Sequence, residues 1–159
     1  MEVEIISIGC ELMNGRTVNT NATYMSKKLQ QQGHTIKWIT TIPDEAAAIS
    51  DAVNIALNRV DVVMTTGGLG PTNDDITKGV ITRVMGGKEV FNEVVFDWVK
   101  QRFAALKVPM PETNRNQAMV PDNAEVLFNQ FGTAPGLLFK KKDKMLFVLP
   151  GVPMEMKFL

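Results

Sequence analysis

Only one cysteine, Cys10, occurs in the 159 residues. That excludes an intramolecular disulfide and any multi-cysteine zinc centre, and suits a reducing compartment. A cytoplasmic protein is the expectation. Excess charge is missing too: 17 lysines and arginines stand against 17 aspartates and glutamates, which leaves no positive field to hold a polyanion by counterion release. Nucleic acid is therefore not an expected partner. No apolar run approaches the roughly 18 residues of a membrane span, and the opening Met1-Glu2-Val3-Glu4 has neither the basic segment nor the apolar stretch of a secretory signal. No membrane partner is expected. The single histidine, His34, has no second ligand at metal spacing. What is present, 45% hydrophobic and 21% charged residues, fits one globular domain over residues 1–159 with a full core. The final Pro150-Gly151-Val152-Pro153-Met154-Glu155 reads as the start of a new helix soon before Leu159, so a longer parent protein is expected.

Strand and helix periods alternate along the chain. Val3 to Ile8 is a β-branched run ending at Gly9, the pattern of a strand buried on both faces. Asn19 or Thr20 can cap a helix carrying Ala22, Met25 and Leu29, which Gly33 stops. Ile36, Trp38, Thr40 and Ile42 alternate as a second strand, Pro43-Asp44 turns the chain, and Ile49, Val53, Ala56, Leu57 and Val60 form the stripe of a second helix. Asp61 to Thr66 reads as a third strand. A glycine-rich loop follows, then a helix with Ile76, Val80 and Val84 on one face, ended by Gly86-Gly87. Asn92 can cap a helix with Val95, Val99, Phe103 and Leu106 on its stripe, ended by Pro109 and Pro111. Shorter strands are expected near Glu125 to Phe128, Leu137 to Lys141 and Met145 to Leu149, with a lysine-rich turn between the last two. The ten methionines and both tryptophans fall largely in the apolar pattern and are expected in the core. This order predicts an α/β fold with a mostly parallel sheet covered on both faces and an antiparallel edge.

Ligands of open α/β sheets bind beyond the carboxyl ends of the strands. Three strand exits carry glycine: Ser7-Ile8-Gly9-Cys10-Glu11, the loop Thr65-Thr66-Gly67-Gly68-Leu69-Gly70-Pro71-Thr72-Asn73-Asp74-Asp75, and Leu149-Pro150-Gly151-Val152-Pro153. Glycine there lets backbone N–H groups approach an anion, so these exits are expected to surround one phosphate-binding pocket. The loop lacks the Gly-Lys-Ser/Thr ending of a P-loop and the third glycine of the dinucleotide fingerprint. Carboxylates beside a phosphate repel it unless a cation intervenes. Asp75 and Asp74 are therefore candidate ligands of a divalent metal, with Glu11 the next candidate carboxylate. One of the two aspartates is also expected to cap the helix that follows. Asn114, Arg115, Asn116 and Gln117 offer amides and a guanidinium that can read a heterocycle edge or a phosphate, within what is otherwise an ordinary polar loop. Cys10 is expected as a small apolar filler near the pocket.

These motifs resemble a known family. Thr65-Thr66-Gly67-Gly68-Leu69-Gly70-Pro71-Thr72 with Asp74-Asp75 looks like the signature of the molybdenum-cofactor-biosynthesis (molybdopterin-binding, MogA/MoaB-like) superfamily. Within it, Gly9, Glu11-Leu12, Gly15, Thr20-Asn21, Gln117-Ala118, Gly132-Thr133-Ala134-Pro135-Gly136 and Pro150 to Glu155 resemble CinA-like N-terminal domains, with a departure at Cys10. The resemblance implies a three-layer α/β/α sandwich. It further implies a metal-dependent pyrophosphatase acting on ADP-ribose or related nucleotide diphosphates, with magnesium, cobalt or nickel served by the Asp75 region. Asn21, Pro150 and Gly151 join the expected ligand-binding residues. The amidase domain of full-length relatives is not expected in these residues. Two further functions stay open at this point: binding or adenylylating molybdopterin, and a non-catalytic nucleotide-binding or oligomerisation module. A homo-oligomer, dimer or trimer, is expected.

Overall fold

The computed structural model describes residues 1–159 except Asn73. β1 (Glu2–Ile8) runs into a short helix α1 (Cys10–Met13), and α2 (Thr20–Gln31) returns the chain to β2 (Thr35–Ile42). Next come α3 (Ala46–Arg59), β3 (Val62–Thr66), α4 (Thr77–Val84), β4 (Glu89–Phe91) and α5 (Glu93–Leu106). A 3-10 helix (Glu112–Ala118), β5 (Met119–Pro121), β6 (Ala124–Leu127), β7 (Gly136–Lys141), β8 (Lys144–Leu149) and α6 (Pro153–Phe158) complete the chain. The six-stranded sheet has the order β2-β1-β3-β8-β7-β6. β2, β1, β3 and β8 are parallel, and β7 and β6 add the antiparallel edge.

Strand periodicity sorts the core into two layers. Ile6, Ile8, Val63, Leu146 and Val148 face α3 and α4, where Ile49, Val53, Ala56, Val80 and Ile81 close the larger core. The alternate residues Ile5, Leu149, Met64 and Phe147 face α2 and α6, against Ala22, Met25 and Met156. Helices on both faces of a sheet give the expected three layers. A third cluster packs α5 through Val95 and Val99 onto Ala118 and Val120. Caps follow the letters: the side chains of Asn19 and Asn92 accept from the backbone N–H groups of Ala22 and Val95, both at 3.1 Å.

Several local expectations need correction. Sequence reading missed the two-stranded β4–β5 sheet, because three-residue strands carry too few residues for a period. Leu106 is exposed, since the last turn of α5 runs past the surface it packs on. Met1, Met13, Met154 and Trp38 are also exposed. Trp38 lies on the edge strand β2, where the Arg59 guanidinium sits 4.2 Å from its ring centroid. Cys10 is exposed rather than an apolar filler, because the α1 turn carries it out of the sheet layer.

Candidate functional site

Parallel strands deliver their exits to one end of the sheet, and there the expected loops converge. A cleft of about 460 Å³ opens between Glu11 and Asn21 after β1, Gly67-Gly68 and Asp74-Asp75 after β3, and Gly151 after β8. Asp44, at the exit of β2, also lines it. Sequence reading took Asp44 only as a turn residue, although the rule that placed the other exits applies to it equally. Its carboxylate accepts from the Cys10 N–H at 2.9 Å and so ties α1 to the β2 exit.

Two side chains clip the exits together. The Thr66 hydroxyl donates to the Pro150 carbonyl at 2.8 Å, and the Asn21 amide donates to Thr66 Oγ1 at 2.9 Å and to the Gly151 carbonyl at 2.8 Å. Thr66 and Asn21 thus position the loops. Among the described residues Asn21 Oδ1 is buried with no protein partner, and so is Thr77 Oγ1 beneath Gly68. Such orphans are uncommon in folded proteins and mark places where a ligand or water completes the count. Gly68 has φ +66°, and a Cβ there would overlap the Thr77 hydroxyl, so the loop comes this close to α4 only as glycine. The N–H groups of Gly9 and Gly67 donate to the carbonyls of Ile42 (3.0 Å) and Leu149 (3.1 Å). Those two amides serve the sheet, so an anion would have to use others.

The aspartates do not cap α4: its N-cap is Ile76, without a side-chain bond. Asp75 instead turns back on its own loop and accepts from the Thr72 N–H at 3.2 Å and the Thr72 hydroxyl at 2.5 Å. It fixes the loop's shape because the chain makes a further turn before helical geometry begins at Thr77. Asp74 is exposed at the rim. Asn73 lies outside the described residues. Among the described residues no three His, Cys, Asp or Glu side chains are gathered closely enough to hold a metal by themselves.

A second cavity of about 370 Å³ adjoins the cleft and holds the rest of the glycine loop, Leu69-Gly70-Pro71, together with Pro150 and Gln117. The segment Glu112–Ala118, expected as a polar loop, is a 3-10 helix that buries Asn114 and Gln117. Gln117 donates to the Leu69 carbonyl at 3.2 Å, and Asn114 to Thr133 Oγ1 at 3.3 Å. Arg115 does not reach the site. Its guanidinium packs over the rings of Phe91 (4.5 Å) and Phe96 (5.1 Å), whose faces attract the planar cation. Glu155, also on the second cavity, was legible only as part of a helix start.

Residues 4–159 match the MoCF_biosynth family, described as "Probable molybdopterin binding domain". The chain belongs to this molybdopterin-binding domain family. A curated relative, the "Putative competence-damage inducible protein" of Natranaerobius thermophilus, is 46% identical over 154 residues, covering 97% of this chain and 38% of that protein. The chain therefore spans about two fifths of that relative's length. A crystal structure of the protein CinA, of unknown function, from Thermoplasma acidophilum superposes with a TM-score of 0.91 at 31% identity, covering 99% of this chain and 92% of that one. The molybdopterin biosynthesis enzyme MoaB of Thermus thermophilus shares the fold, with a TM-score of 0.64 at 16% identity over 98% of this chain and 84% of that one.

Burial pushes the Glu155 carboxyl above its ordinary value of 4.5, partly offset by the hydrogen bond from Asn129 and the charge of Arg102. A carboxyl raised in the folded state binds its proton more tightly there than in the unfolded chain, so stability falls as pH rises through the range just above 4.5. Glu155→Gln removes this component. Measured by urea titration and taken relative to the wild type, its unfolding free energy should rise as pH goes from acid to neutral. Equal slopes would count against the assignment.

Proposed function

We propose that the cleft binds a small phosphorylated ligand of pterin or nucleotide type, molybdopterin in the first place, with a divalent cation between its phosphate and Asp74-Asp75. One observation carries this reading: Glu11, Asp44, Asp74 and Asp75 line the same glycine-walled cleft, and none of its described lining residues is Lys, Arg or His. Phosphate next to so many acids needs a bridging cation. The family supports the pterin class of ligand.

The donor set fits a hard cation. Magnesium takes one or two carboxylates and fills its remaining positions with phosphate oxygens and water, so two aspartates beside a bound phosphate can complete its shell. Asp75 and Asp74 would hold it, and when bound it would neutralise phosphate charge and polarise the phosphorus. Asp75 is preset for this by its two bonds from Thr72, which leave Oδ1 the freer oxygen. Asn21 Oδ1 supplies an acceptor for a hydroxyl or N–H of the ligand. Oligomeric assembly, dimer or trimer, belongs to the same proposal.

A second reading, metal-dependent hydrolysis of ADP-ribose or a related nucleotide diphosphate, is favoured by the two surplus carboxylates. Glu11 or Asp44 would accept the proton of the attacking water while the P–O–P bridge opens to AMP and a sugar phosphate. The test uses molybdopterin and ADP-ribose with and without magnesium, cobalt or nickel, reading binding by calorimetry and AMP by chromatography. Metal-dependent binding that weakens about tenfold or more in Asp75→Asn supports the cation site. Asparagine keeps an acceptor for Thr72, so this variant should remain folded. Full metal-dependent binding in Asp75→Asn would remove Asp75 from the cation site. Release of AMP would favour the second reading, and binding of molybdopterin without turnover of ADP-ribose the first.

A further inference from the structure

The second cavity shares Gly68, Asp75 and Gly151 with the acidic cleft, so the two are lobes of one site. Their chemistry differs. The second lobe is walled by Leu69, Pro71, Ala134, Pro150 and Val152, a lining suited to a flat ring. Its polar side chains are mainly acceptors. Gln117 has given Nε2 to the Leu69 carbonyl, which leaves Oε1 to accept. Glu155 contributes a carboxylate held on one side only: Oε2 accepts from Nδ2 of the fully buried Asn129 at 2.6 Å. Asn129 is fixed in turn by donating to the Ala134 carbonyl at 3.1 Å and accepting from the Phe131 N–H at 2.9 Å. A Cβ on Gly132 would overlap the Glu155 carboxylate, so the loop is shaped around that group. Among the described residues no lysine or arginine forms an ion pair with Glu155.

A residue that only tied this loop to α6 could be glutamine, without the desolvation cost of a charge. A carboxylate adds two oxygens in one plane, each able to accept twice. We propose that this lobe receives a heterocycle presenting two adjacent N–H donors, the amino-oxo-pyrimidine edge shared by pterins and guanine, and that Glu155 selects it by accepting from both. Adenine presents a donor beside a lone pair, and that lone pair would face the carboxylate. The inference rests on the reading that the ligand's phosphate lies in the acidic cleft, since only then does the ring reach across Gly68 and Gly151.

Two probes separate the lobes. Hydroxymethylpterin, guanosine and adenosine report on the second lobe, and inorganic pyrophosphate with magnesium reports on the cleft. At about pH 8, where carboxylates are ionised, wild-type protein should bind hydroxymethylpterin and guanosine at least tenfold more tightly than adenosine. Glu155→Gln should lose that preference while binding magnesium pyrophosphate within about twofold of wild type, which also shows that it is folded. Equal binding of adenosine and guanosine by the wild type, an unchanged preference in Glu155→Gln, or no binding of hydroxymethylpterin would each overturn the role of Glu155. Pterin binding that depends on Glu155, without any binding of magnesium pyrophosphate, would instead overturn the phosphate reading of the cleft.

Discussion

Gly67→Ala should lower the unfolding free energy by about 3 kcal/mol or more, and the melting temperature by roughly 6–12 °C for a chain of this size. Gly67 follows β3 with φ +118°, a region in which residues with a side chain are strained. A Cβ there would also overlap the carbonyl oxygen of Ile8, the last residue of the neighbouring β1. That neighbour cannot move aside. Ile8 is locked in register with Ile42 on β2, and the Gly67 N–H itself holds the Leu149 carbonyl of β8. The substitution therefore strains β1, β3 and β8 together where they form the floor of the cleft. Thermal unfolding checks it: a variant melting within about 2 °C of wild type would mean that the loop relaxes at little cost. Calorimetry with magnesium pyrophosphate should show binding lost even below the melting point.

Arg59→Met should lower the melting temperature by more than Glu4→Met does, although both remove the same ion pair. Glu4 is buried on the central strand β1, accepting from the Thr40 hydroxyl at 2.7 Å and from Arg59 Nε and Nη2 at 2.8 and 2.6 Å. Arg59 lies at the end of α3, partly open to solvent and stacked on Trp38. Removing the arginine leaves a buried carboxylate with a single hydroxyl donor, a costly arrangement. Removing the glutamate leaves a guanidinium that can turn toward water. The double variant Glu4→Met with Arg59→Met should recover most of the loss, because a buried pair replaced by apolar side chains of similar size is often close to neutral. Thermal melts of the three variants decide this, and a Glu4→Met loss equal to or larger than that of Arg59→Met would overturn the asymmetry.

Much of the architecture was legible because it follows from local period and local chemistry. The β-branched run Val3 to Ile8, the helical stripe from Ile49 to Ala56 and the caps at Asn19 and Asn92 each carry their signal within a few residues. So did the strand exits, since parallel strands must present them on one side. The roles of individual polar side chains were less legible. Arg115 looked available for phosphate until two rings from elsewhere in the chain took its guanidinium. Asp44 and Glu155 looked like a turn acid and a helix-start acid because nothing in their neighbourhood tells which cavity they face.

By itself the sequence determined the order of strands and helices, the parallel sheet with its antiparallel edge, and the glycine loop after β3, because backbone propensity and hydrophobic period act over a few consecutive residues. Only the tertiary structure decided that four carboxylates from three strand exits share one cleft, that Thr66 and Asn21 clip those exits together, and that Glu155 lies on an adjoining lobe. These facts depend on contacts between residues as far apart as Asn21 and Gly151, and such distances are set by how the layers pack rather than by any local preference.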